Sequence, residues 1–122
     1  MIEKRILIAN RVRRPPREGF SWIDRRFLRE FASKLTGDAI LLYFFLSAVS
    51  DKDGLSYYSD TSIAVRLRMR EEHVVAARED LLTHDLVAHQ PPLTQVLSLP
   101  VGRLQQKDLH ALRALLRPPD SA

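Results

Sequence analysis

The stretch Asp60-Thr-Ser-Ile-Ala-Val-Arg-Leu-Arg-Met-Arg-Glu-Glu-His-Val-Val-Ala-Ala-Arg-Glu-Asp-Leu-Leu-Thr-His-Asp-Leu-Val-Ala-His-Gln90, with Thr94-Gln-Val-Leu-Ser-Leu99 after it, decides the fold. Ile63, Ala64 and Leu67 recur three and four residues apart, which gives a short helix one apolar face. Met69 plugs a tight break, and Val74, Ala77 and Leu81 repeat the helical spacing on a second helix over about residues 71–84. Leu86 ends that helix and opens a strand. Residues 86–90 and 95–99 are expected to pair across Pro91, Pro92 and Leu93, a loop stiffened by two prolines and devoid of Lys and Arg.

Upstream, residues 51–54 form a turn in which Gly54 is free to take positive φ, and residues 55–58 form a short strand. Asp51, Asp53 and Gly54 lack the glycine and glutamate spacing of a calcium loop. Residues 39–49 are apolar almost all round, which predicts a central helix buried on most sides, capped by Thr36. Ile23, Phe27, Phe31 and Leu35 recur every four residues and predict a further amphipathic helix, with Ser21 as N-cap and Asp24 in its first turn. Phe20 and Trp22 read as core or interface anchors. Residues 10–20, with Pro15, Pro16 and Gly19, read as an extended basic arm, and residues 2–9 as an edge strand. Downstream, residues 102–116 are a helical candidate whose Leu109, Leu112 and Leu116 form a stripe. The expected core is Ile40, Leu41, Phe44, Phe45, Ile63, Leu67, Val74, Leu81, Leu86 and Leu97.

A chain of 122 residues with 45% hydrophobic content can bury one ordinary core. Its most apolar run is about half the roughly eighteen residues a membrane span requires. The chain has no cysteine, hence no disulfide framework or thiolate chemistry, and a cytoplasmic location is expected. The net charge of +4 is unevenly placed. Residues 1–35 hold ten Lys/Arg against four Asp/Glu, residues 36–100 five against nine, and residues 101–122 four against two. The segment that decides the fold is therefore acidic, and its flanks are basic.

Over residues 57–99 the chain resembles winged helix-turn-helix modules, in which a scaffold helix, a turn and a recognition helix lead into a Leu-Val strand; Ile63, Leu67, Val74, Leu81, Leu86 and Val87 carry the resemblance. It covers about a third of the chain and is shared by bacterial transcription regulators and by replication-initiator and primosome proteins of phages and plasmids. Two positions depart from the common pattern. Arg68 stands where glycine or asparagine is usual, and the recognition helix opens Arg70-Glu71-Glu72 instead of with serine and basic or amide residues. The implied fold is mainly α with a small β-hairpin, a winged helix-turn-helix with extra N- and C-terminal helices. Residues 1–20 are the arm, residues 21–100 the winged-helix domain with its extension helix, and residues 101–122 a C-terminal helix and tail.

The resemblance implies DNA binding by a regulator or by an accessory factor of replication or mobile elements. Arg66, Arg70 and Arg78 are the cations near the recognition helix, and His73 and Ala76 face outward from it. Arg11, Arg13, Arg14 and Arg17 lie on the arm, where phosphate neutralisation supplies affinity that an acidic reading head lacks. The expected partner is double-stranded DNA, with a homodimer through the terminal leucine and aromatic stripes as a further expectation. The alternative is a protein–protein interaction module in which the acidic winged helix binds a protein partner and does not itself contact DNA. No catalytic residue, metal or cofactor is expected. There is no phosphate-binding glycine loop and no Gly-x-Ser-x-Gly elbow, and His73, His84, His89 and His110 lack the spacing of a helical zinc pair.

Overall fold

The computed structural model describes residues 2–101 of the chain. The expected helix over residues 102–116 and its leucine stripe lie outside the described residues.

Thr36 starts the first long helix, α1 (Gly37–Val49): its hydroxyl accepts the Ala39 N–H at 3.1 Å, meeting one of the donors a helix start leaves free. Helix α1 is the centre of the core, packed chiefly against α3 (Glu71–Thr83). It buries Ala39, Leu42, Tyr43, Phe45 and Leu46. The sequence expectation for Leu41 and Phe44 is corrected, because both face outward and Phe44 is 57% exposed. An all-apolar helix does not declare which side its neighbours will cover, and α3, the sheet and residues 25–34 leave that stripe open.

Strand β1 (Leu55–Tyr57) leads into α2 (Asp60–Leu67), whose cap Ser59 accepts the Ser62 N–H. Arg68 ends α2 in the left-handed conformation, φ 57 and ψ 46, and the Met69 N–H donates to the Ala64 carbonyl at 3.0 Å. Helix α3 follows and turns its Val74, Ala77 and Leu81 face into the core, as the spacing predicts. Asp85, also left-handed at φ 59, ends the turn after α3 and delivers the chain to β2 (Val87–Gln90). Strand β3 (Leu93–Val96) returns antiparallel and lies between its neighbours in a three-stranded sheet of order β1-β3-β2.

The hairpin is tighter than expected. Gln90 pairs with Leu93, so only Pro91 and Pro92 form the turn and β3 begins two residues before Gln95. Proline has no N–H for a ladder whereas Leu93 has one, so the turn stops at the prolines. Gly54 closes the other side. Its φ is +83, and a Cβ there would meet the Val96 carbonyl oxygen at 2.5 Å, while Val96 N–H donates to the Gly54 carbonyl at 2.8 Å.

The N-terminal expectations change most. Residues 2–9 form no strand, and Ala9–Arg11 make a single 3-10 turn. Helical turns begin at Arg25 instead of after Ser21: the Asp24 carboxylate accepts the Arg26 N–H at 2.8 Å, and the Ser21 hydroxyl instead donates to the Ala48 carbonyl. The segment is a π-helical turn, Phe27–Phe31, running into a 3-10 turn, Ala32–Lys34, in place of a regular α-helix. Phe27 stacks on Tyr43 with centroids 3.9 Å apart, and Phe31 is buried too. The aromatic stripe is thus covered within the chain and no longer argues for a dimer. Phe20 and Trp22 are exposed, not core. Helices and a small antiparallel sheet in this order fit a winged-helix-like fold. No helix among the described residues is long and apolar enough to cross a membrane.

Candidate nucleic-acid interface

Helix α3 advances about 100° per residue, so burial of Val74, Ala77, Arg78 and Leu81 places Glu72, Ala76, Glu79 and Thr83 along the opposite ridge. All four are exposed, with His73 and Val75 exposed on either side. His73 and Ala76 therefore lie outward, as expected. Helix α2 braces the start of α3: the Thr61 hydroxyl donates to the Glu71 carboxylate at 2.6 Å. At the far end Asp80 accepts the Thr36 N–H at 2.9 Å and ties α3 to the beginning of α1.

The cations divide into three groups. Arg66, Arg68 and Arg70 are exposed around the break between α2 and α3. The Arg66 guanidinium carbon sits 5.4 Å from the centroid of the Tyr58 ring, which forms a T-shaped pair with Phe45. Arg70 lies 3.5 Å from Glu72, with both side chains mostly in solvent. Arg68 is the residue the sequence reading left out of the site, although its alternation with Arg66 and Arg70 was visible. The backbone at Arg68 is left-handed, and the residue is exposed there.

Arg78 is the correction. It is 7% exposed, and its guanidinium donates to the Asp60 carboxylate in the seam between α2 and α3. A guanidinium held there cannot also grip phosphate at the surface. Beneath it, His89 Nδ1 lies 2.9 Å from the buried Thr94 hydroxyl, and burial, then the Arg78 charge, lower the His89 pKa from its ordinary value.

Arg11, Arg13, Arg14 and Arg17 are exposed on the arm, and none of their guanidiniums is in an ion pair among the described residues. The Pro91–Pro92 turn and its neighbours Gln90 and Leu93 are exposed and uncharged. The Asp51 carboxylate accepts the N–H groups of Asp53 and Leu55, both at 2.9 Å, which gives it a structural task in the turn before β1.

No family model matches this chain, and no curated protein matches it. Solved structures do. One described as an MDR initiator superposes with a TM-score of 0.51 at 17% identity, covering 79% of this chain and 90% of that one. A Rep–DNA complex gives 0.51 at 19% identity, covering 83% and 91%. An N-terminal domain of a DNA-binding protein gives 0.52 at 17% identity, covering 97% and 100%. The structural neighbours of this chain thus include an initiator, a Rep–DNA complex and a DNA-binding protein domain, and at these identities the likeness is one of fold.

Proposed function

We propose that this chain is a winged helix-turn-helix DNA-binding domain serving replication or transcription control. Helix α3 enters the major groove, His73 and Ala76 face the bases, and phosphates are held by Arg66, Arg68 and Arg70 at the break and by Arg11, Arg13, Arg14 and Arg17 on the arm. One observation carries the reading: α3 is anchored by its inner face and braced at both ends, which leaves its outer ridge uncovered beside an exposed arginine triplet. Recognition helices read bases from their N-terminal residues while flanking cations fix the register on the backbone. Fold likeness to an initiator, a Rep–DNA complex and a DNA-binding protein supports it. No catalytic residue or cofactor is assigned.

A titration of random and genomic duplexes over a salt series tests the proposal. Seven phosphate contacts give a slope of log K against log salt of about −6. Absence of binding to any duplex at low salt refutes it. A second reading then takes over, that of a module whose α3 binds a protein partner, favoured by Glu72 and Glu79 on the ridge and by the uncharged hairpin turn. A homodimer belongs to the first reading through the open stripe of Leu41 and Phe44 on α1, and sedimentation as a monomer at tens of micromolar would remove that part.

A further inference from the structure

The ridge of α3 offers acceptors and methyl groups where base-reading helices usually offer donors. Of its acidic residues, Glu71 receives the Thr61 hydroxyl, Asp80 receives the Thr36 N–H, and Glu79 lies two turns in from the helix start. Glu72 remains, in the first turn and at the centre of the outward face, with a side chain 68% exposed. Its neighbour is Arg70 at 3.5 Å, a solvent-exposed cation that offsets the cost of bringing a carboxylate near phosphates. Ala76 follows one turn later, about 6 Å along the axis, or roughly two base steps.

A carboxylate only accepts hydrogen bonds. In the major groove guanine presents O6 and N7, both acceptors, and adenine sets an N7 acceptor beside its N6 donor, whereas cytosine presents its N4 amino donor and thymine its methyl group. Resting on the DNA-binding reading above, we infer that Glu72 is a specificity-determining residue that selects cytosine through its N4 amino group, with Ala76 against a thymine methyl nearby. Discrimination has two parts: the attraction to cytosine, and the repulsion between the carboxylate and guanine's acceptors at the same place.

Selection from randomised duplexes, followed by titration of the best duplex and its single-base variants, tests this with the full chain carrying Glu72→Gln or Glu72→Ala. Wild type should require cytosine at one position, other bases weakening binding roughly 5- to 100-fold. Glu72→Gln should move the preference there to adenine, whose N6 and N7 match an amide, and Glu72→Ala should level it. Both variants lose the same charge, so a uniform gain on all duplexes is common to them and separable from the change of base. If Glu72→Gln keeps the wild-type base, or if wild type shows no base preference, the inference is overturned while DNA binding stands. If wild type binds no duplex at low salt, the DNA-binding reading fails and this inference with it.

Discussion

The guanidinium of Arg78 on α3 is held by the carboxylate of Asp60 at the start of α2, with the Arg78 side chain 8% exposed and that of Asp60 36%. The pair clamps the two helices whose relative angle sets the outer ridge. Removing one partner leaves the other half-buried and unmatched, so Arg78→Met should cost about 1–3 kcal/mol in urea melts. The salt slope of any DNA binding should not change, because the buried Arg78 touches no phosphate in the proposed binding mode. A drop of about one unit in that slope would return Arg78 to the interface.

Leu81 is fully buried between α3 and the rest of the core. Leu81→Ala should destabilise the protein by about 2–5 kcal/mol, combining lost burial with the cavity left behind. Equilibrium denaturation showing no loss would mean that the register of α3 is different.

Arg68 occupies a left-handed backbone position that strains any residue with a Cβ. Arg68→Gly should therefore raise stability, by about 1 kcal/mol once the greater freedom of glycine in the unfolded chain is subtracted. The same change removes one of the three cations at the helix break. Its salt slope should fall by about one unit, so stability and binding move in opposite directions.

His89 supplies a pH dependence. Its folded-state pKa is lowered by burial and by Arg78, with Asp60 and Glu79 the nearby carboxylates acting the other way. The unfolded chain, with a histidine pKa of about 6.5, then binds the proton more readily than the folded one. Stability contributed by neutral His89 is present above about pH 6.5 and declines as pH falls from there toward the lowered folded value. Urea melts between pH 8 and 5 should show this decline, and His89→Gln, whose amide can still hydrogen-bond the Thr94 hydroxyl, should flatten it. An equal decline in the variant would assign the dependence to other groups.

The helix pair was legible in the sequence because local spacing and tertiary burial agree there: Ile63 and Ala64 on α2 and Val74, Ala77 and Leu81 on α3 all point inward. Thr36 was legible as a cap for the same reason, its side chain acting on its own helix. The orientation of α1 was not, since a helix apolar on every side has no preferred face until its neighbours are known. Arg78 stands four residues after Val74 and next to Ala77, so the spacing already placed it inward. What the spacing does not show is the pairing with Asp60, eighteen residues away, which makes a buried guanidinium tolerable. Asp24 displaced Ser21 because the carboxylate reaches the Arg26 N–H while the hydroxyl finds the Ala48 carbonyl across the fold.

In the proposed function, arginines outside the acidic segment supply most of the attraction to DNA. The most direct test compares the full chain with one carrying Arg11→Gln, Arg13→Gln, Arg14→Gln and Arg17→Gln, each titrated with duplex over a salt series. Binding by the full chain is expected, with a slope of log K against log salt shallower by roughly three to four units in the variant. An unchanged slope, or a full chain that binds no duplex even at low salt, would contradict it.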